Sequence, residues 1–82
     1  MGENRIALLG IIIESGDAVE RVNALLHDFA PYVVGRMGIP YQKKDVSVIS
    51  VVLDAPTTAI NSLTGKIGMV KGVSAKALYS NK

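Results

Sequence analysis

Two apolar stripes with helical spacing lie 41 positions apart in this chain, and this repeat constrains the fold more than any other feature. Within each stripe the apolar residues follow one another by three, four and three positions, which places them on one face of a helix. The stripes are Val19, Val22, Leu26 and Phe29 in the first half, and Ile60, Leu63, Ile67 and Val70 in the second. Because the chain has 82 residues, the sequence divides into two halves of the same plan.

Each predicted helix is preceded and followed by a segment of strand character. These four segments are residues 5–14, 32–39, 46–53 and 73–79. One βαβ half leaves a hydrophobic face uncovered, and two halves cover theirs by packing both helices against a shared sheet. The sequence therefore predicts an α+β, ferredoxin-like βαββαβ sandwich. Its four-stranded antiparallel sheet has both helices on one face and the first and third strands at its centre.

Local signals set the expected ends of these elements. Asp17 is expected to be the N-cap of the first helix, and Glu20 three residues later completes an arrangement close to a capping box. Pro31 ends this helix, and Pro56 fits the first turn of a second helix opened by residues 54–56. Two glycines weaken the segment 32–39, which favours an edge position or a bulge and a hairpin with the third strand.

Length and cysteine content limit the kinds of protein that the chain can form. A chain of 82 residues has room for one domain, so we expect a single ferredoxin-like domain over residues 1–82. The sequence contains no cysteine, which excludes disulfides, cysteine zinc sites and iron–sulfur ligation. Packing alone must stabilise the core.

Both faces of the two central strands are apolar, whereas the helices can cover only one of them. In the third strand, for example, Val46, Val48 and Val52 oppose Ile49, Val51 and Leu53. An uncovered apolar face of this size is typical of an interface. We therefore expect a homo-oligomer, a dimer or a tetramer, with Leu8, Ile12, Val48 and Val52 at the interface. The alternative is a monomer whose β-branched strands expose some side chains.

The residues that could carry chemistry are few and scattered. His27 is the only histidine; it is expected on the outward face of the first helix, as a solvated or interface residue rather than a metal ligand. No motif for a nucleophile and its base occurs, and Gly65-Lys66 lacks the glycine and hydroxyl positions of a phosphate loop. The central strands have no aromatic residues for stacking on RNA bases. We predict no catalytic residues, no metal and no cofactor.

Ser15, Gly16 and Asp17 join the first strand to the first helix and form the one candidate ligand site. Free backbone N–H groups at a helix start can hold an anion or an amino acid. The alternative is a glycine turn with an N-cap, and the residues alone leave both open.

Charge and hydropathy predict a cytoplasmic protein without a membrane segment. The net charge is +2, which does not demand a nucleic-acid partner. The longest hydrophobic run, residues 6–13, falls far short of the roughly 20 residues that cross a bilayer. It also lacks a signal-peptide cleavage pattern.

Four motifs together resemble a known family of small regulators. They are V-x-x-V-N-x-L-L-H-x-F from Val19 to Phe29, G-R-M-G-I-P from Gly35 to Pro40, S-L-T-G-K-I-G from Ser62 to Gly68, and G-V-S-A-K from Gly72 to Lys76. This combination is similar to the iron-only ([FeFe]) hydrogenase system regulators. The resemblance implies a ferredoxin-like oligomer, related in shape to ACT domains and to the C-terminal domain of NikR-type repressors. It also implies a role in hydrogenase expression or maturation.

Two departures limit what the resemblance carries over. NikR-type nickel sites use several histidines and a cysteine, so nickel sensing is not expected here. The DNA-binding ribbon-helix-helix segment of those repressors has no counterpart before the first strand, so direct DNA binding is not expected either. The first hypothesis is a non-enzymatic, homo-oligomeric regulator that acts through a protein partner or a small effector. The alternatives are an ACT-like module that binds an amino acid, and a purely structural interaction domain.

Overall fold

The computed structural model describes residues 3–81 and contains one four-stranded sheet with the strand order β2-β3-β1-β4. The strands are β1 (Asn4–Ile13), β2 (Val33–Tyr41), β3 (Val46–Pro56) and β4 (Val73–Tyr79), and the helices are α1 (Ala18–Asp28) and α2 (Thr57–Gly68). All three strand pairs are antiparallel. The structure confirms the ferredoxin-like arrangement and the central position of the first and third strands.

The core lies between the helices and one face of the sheet, and every buried side chain within residues 3–81 is apolar. On β1 the buried and exposed positions alternate, with Leu9 and Ile11 at 0% exposure between exposed Leu8 and Ile12. On α2 the buried residues are Ile60, Leu63 and Ile67. On α1 they are Ala18, Val22, Leu25 and Leu26, so the buried face is shifted from the predicted stripe. Val19 and Phe29 pack at its margin.

The first helix starts where predicted, directly after Asp17, but is capped differently, and the second helix starts later than predicted. Asp17 precedes α1 but makes no side-chain capping hydrogen bond, so the predicted capping box was wrong. The backbone supplies the turn instead, because the N–H groups of Ala18 and Val19 donate to the carbonyls of Ser15 and Gly16 at 3.0 and 3.3 Å. The second helix begins three residues later than residue 54, since β3 stays paired with β1 as far as Pro56.

Strand β2 occupies an edge of the sheet and contains the irregularity that its glycines predict. Its pairing with β3 shifts register between Val33 and Gly35, which leaves Val34 as an extra residue. The strand runs on through Pro40 to Tyr41, two residues beyond the predicted end. Proline has no backbone N–H to donate. It is tolerated there because the outer side of an edge strand has no neighbouring strand that would need this hydrogen bond.

Gly72 connects α2 to β4 at a point where the chain passes close to the β1–α1 loop. Its φ is +81°, and a Cβ placed on it would lie 2.8 Å from the Cβ of Ser15. The carbonyl of Gly72 also accepts a hydrogen bond from the N–H of Glu14 at 2.7 Å. Both the backbone conformation and the space therefore require glycine.

Replacing Gly72 by alanine should lower the free energy of unfolding by about 1–3 kcal/mol, because the left-handed conformation and the close contact each disfavour a side chain. Chemical denaturation of the purified protein measures this loss. Gly68→Ala is the matched control, since a Cβ there meets nothing within 4 Å. Equal stability of the two variants would contradict the constraint at Gly72.

The described residues include no helix that is both long and apolar enough to span a membrane.

Candidate functional site

The face of the sheet opposite the helices is open and apolar. Leu8 pairs with Val52 and Ile12 pairs with Val48 across the two central strands. These side chains are 43%, 36%, 45% and 37% exposed, in that order. The structure therefore places the four predicted interface residues together on the uncovered face, which we call the open face.

The open face is wider than the predicted residues because the outer strands add to it. Ile39 of β2 pairs with Val48, and Leu78 of β4 pairs with Leu8. Met37 of β2 and Ile6 of β1 are also exposed apolar residues, and their positions along the strands place them on this face. The sequence analysis did not say which side chains of β2 and β4 lie on the open face, because glycines interrupt β2 and small and long side chains alternate along β4. The spacing of two between Met37 and Ile39 could have shown that they lie on the same face of β2.

A depression lies at the centre of the open face, where Gly10 stands between Leu8 and Ile12. Across the strands Gly10 pairs with Ser50 and Lys76, and these residues line a hollow of about 420 Å³. A Cβ on Gly10 would meet its nearest neighbour, the carbonyl oxygen of Lys76, at 3.9 Å. The contacts within one copy therefore do not require glycine, which weakens strand interiors and often marks the close approach of another chain or a ligand.

The residues Ser15, Gly16 and Asp17 are divided between two cavities. Ser15 and Gly16 border a small cavity of about 100 Å³ against the β2–β3 turn. Ser15 and Asp17 border a larger cavity of about 440 Å³ on the side of α2 and β4. The N–H groups of Ala18 and Val19 are already bonded to the loop's own carbonyls. These two N–H groups are therefore not free for a ligand, and ligand binding by Ser15, Gly16 and Asp17 themselves stays a prediction.

The larger cavity contains charged side chains that the sequence did not single out. Arg21 lies one helical turn after Asp17, and Lys71 comes from the segment before β4. Ala18 and Val70 contribute apolar surface to the same cavity. Two cations and one carboxylate around an apolar surface suit a zwitterion, because each charged end of such a ligand then has an opposite charge to meet. The sequence could have placed Arg21 near Asp17, because the two residues are four positions apart at a helix start. Lys71 is distant in sequence and reaches this cavity only through the fold.

A second polar cleft, of about 320 Å³, lies between α1 and β2. It is bordered by His27, which is exposed as the helical periodicity predicts, and by Asn23 and Arg36. The Nη2 of Arg36 donates to the Oδ1 of Asn23 at 2.6 Å. Sequence reasoning missed Arg36 because its direction depends on the irregular pairing of β2.

The described residues contain no group of three or more histidine, cysteine, aspartate or glutamate side chains that could hold a metal ion. His27 shares its cleft with Arg36 and Asn23.

Residues 5–77 match the model of the TM1266-like family, which is described as "Iron-only hydrogenase system regulator, putative". Among solved structures, the uncharacterized protein TM1266 from Thermotoga maritima is 32% identical with a TM-score of 0.90, over 94% of this chain and 98% of that one. A formyltetrahydrofolate deformylase from Pseudomonas putida KT2440 is 14% identical with a TM-score of 0.69, over 94% of this chain and 29% of that one, which is a likeness of fold alone. No curated protein matches the sequence.

Proposed function

The chain belongs to the TM1266-like family of iron-only hydrogenase system regulators, and from this premise we propose that it is a non-enzymatic, homo-oligomeric regulatory protein of that system. It acts in the cytoplasm on hydrogenase expression or maturation, through a protein partner or a small effector. Membership in the family confirms the resemblance predicted from the sequence motifs.

The observation that carries the oligomeric part of the proposal is the open face itself. Its four central residues, Leu8, Ile12, Val48 and Val52, are apolar and 36–45% exposed, and the outer strands extend this apolar surface through Ile39 and Leu78. A contiguous exposed apolar face is typical of an interface, so a second copy is the occupant that we assign to it.

The depression at Gly10 supports the same assignment. Met37 lies two strands away from Gly10 and in the same row, since both pair with Ser50. A two-fold axis parallel to the strands and over β3 would bring Met37 of the partner subunit above Gly10. Methionine adapts well to irregular gaps, and a glycine leaves the space that it needs.

The non-enzymatic part of the proposal is supported by where the polar groups lie. The core contains only apolar side chains within residues 3–81, and Asp17, Arg21, His27 and Arg36 are exposed. Acid–base catalysis depends on groups whose protonation is tuned by burial or by close neighbours. Exposed groups around open clefts are better suited to recognition.

Deletion of the gene in its host tests the regulatory role. We expect changed hydrogenase transcript levels if the protein acts on expression, or unchanged transcripts with less active enzyme if it acts on maturation. A plasmid copy should restore the wild-type level. Unchanged transcripts together with unchanged hydrogenase activity would contradict the proposal.

The cavity of Ser15, Asp17, Arg21 and Lys71 favours a second candidate, an ACT-like module that binds an amino acid. In this arrangement Arg21 and Lys71 face the ligand's carboxylate and Asp17 faces its ammonium group. The apolar part of the ligand lies on Ala18 and Val70. Such binding would supply the small effector of the first proposal.

A thermal-shift screen over the amino acids is expected to reveal this ligand. A ligand at about 100 times its Kd adds about 2.7 kcal/mol to the stability of the folded state, which raises Tm by several degrees in a domain of this size. Arg21→Gln and Asp17→Asn should each remove the shift, whereas Lys66→Gln, a charge change outside this cavity, should keep it. Absence of any shift in Tm across the amino acids would contradict this second candidate, and the loop would then serve only to connect β1 to α1.

A further inference from the structure

The cleft between α1 and β2 brings together polar side chains from two elements. Asn23 and His27 lie one turn apart on α1, and Arg36 reaches the cleft from β2. This site is separate from the open face and from the loop after β1. The regulatory role proposed above does not depend on it.

The register shift in β2 directs Arg36 toward α1. In the observed pairing Arg36 lies opposite Val51, a core residue on the helix side of the sheet. With regular pairing continued from Val33 and Leu53, Arg36 would instead face Ser50, on the open side. Bulges often re-aim a side chain next to a functional site. The extra residue in β2 therefore turns a cation into the cleft.

The guanidinium of Arg36 is fixed without being neutralised. An arginine side chain has five N–H donors, and the hydrogen bond to Asn23 uses one of them. The acceptor is a neutral amide, so the positive charge of Arg36 is retained. No aspartate or glutamate is among the residues that line the cleft. Glu20 and Asp28 are the nearby acids on α1, and both are exposed outside its lining.

The remaining walls give the cleft a polar side and an apolar floor. His27 adds an imidazole N–H on the α1 side, near the C-terminal end of the helix. Leu26, Ala30 and Val33 form the floor. A volume of about 320 Å³ is at the lower end of the range for small-molecule sites.

We propose that this cleft binds a small organic oxyanion, with a carboxylate or phosphate head and a short apolar part. The oxygens of the head accept hydrogen bonds from the N–H groups of Arg36, whose planar fork matches two oxygens of a carboxylate or phosphate. His27 donates to the same head from the opposite side. The apolar part of the ligand covers Leu26, Ala30 and Val33.

Titration of the ¹⁵N-labelled full chain, followed by amide NMR spectra at constant ionic strength, tests this proposal. The probes are inorganic phosphate, acetate and butyrate, with chloride as the balancing anion. We expect saturable shifts for at least one head group that are confined to residues 23–36. Butyrate should bind at least about threefold more tightly than acetate, because its two extra methylene groups meet the apolar floor.

Variants separate binding at Arg36 from general attraction of anions to a basic protein. Arg36→Gln should weaken binding about tenfold or more, because hydrogen bonds to charged groups are the strong ones. Arg36→Lys should lie between the two, since lysine keeps the charge but lacks the fork. Lys43→Gln removes one positive charge in the β2–β3 turn, outside this cleft, and should leave the affinity unchanged.

Three results would overturn the oxyanion site. They are shifts that do not saturate with phosphate or either carboxylate, saturable shifts centred outside residues 23–36, and equal weakening by Arg36→Gln and Lys43→Gln. Saturation by phosphate alone, or by carboxylates alone, would identify the head group and support the site in either case. A folded spectrum of Arg36→Gln guards against loss of structure as the cause of lost binding.

Discussion

Leu9→Ala is expected to lower the free energy of unfolding by about 2–5 kcal/mol, the usual range for a buried leucine. Leu9 is fully buried on the central strand β1, so the shortened side chain leaves a cavity between the sheet and the helices. A domain of 82 residues has a total stability of about 4–12 kcal/mol. The substitution therefore removes a large share of it and should lower Tm by more than about 10 °C.

Leu8→Ala is the matched control, because Leu8 is the adjacent residue on the opposite face of the same strand. Its side chain is 43% exposed, so truncation in the isolated chain should cost about 1 kcal/mol or less. Urea denaturation at low micromolar concentration compares the two variants under conditions that disfavour assembly. Equal losses for Leu8 and Leu9 under those conditions would contradict a core that lies on one side of the sheet.

The alternation of side chains along a strand explains why so much of this fold could be predicted. Successive side chains on β1 and β3 point to opposite faces of the sheet, so the apolar residues of each face could be assigned from the sequence. Leu8, Ile12, Val48 and Val52 lie on the open face as that alternation requires. The 41-residue repeat predicted the two helices and, with them, the face that they cover.

The features that were missed depend on contacts between segments that are distant in sequence. The N–H groups of Ala18 and Val19 donate to backbone carbonyls. The residue types at the helix start do not show whether these donors bond to backbone carbonyls or to the side chain of Asp17. The direction of Arg36 follows from one extra residue in β2, and glycine content indicates a bulge without giving its position. Lys71 lies at the same cavity as Asp17 because the chain at Gly72 passes close to the β1–α1 loop.

Leu8→Glu is expected to dissociate the homo-oligomer into monomers of 8.7 kDa. In an oligomer packed through the open face, each copy would bury a carboxylate without a partner, which costs several kcal/mol per interface. A loss of about 4 kcal/mol corresponds to a Kd weakened roughly a thousandfold. Size-exclusion chromatography with light scattering should therefore report an assembly for the wild type and a monomer for the variant, at tens of micromolar.

Met69→Glu controls for the added charge, because Met69 is 87% exposed at the end of α2, away from the sheet. This variant should keep the wild-type mass. A wild-type monomer at 100 µM, or a Leu8→Glu variant that assembles as the wild type does, would contradict the interface. In either case the open face would be free for a different protein. If both variants behave as expected, a second copy of the chain is what covers the apolar residues of the open face.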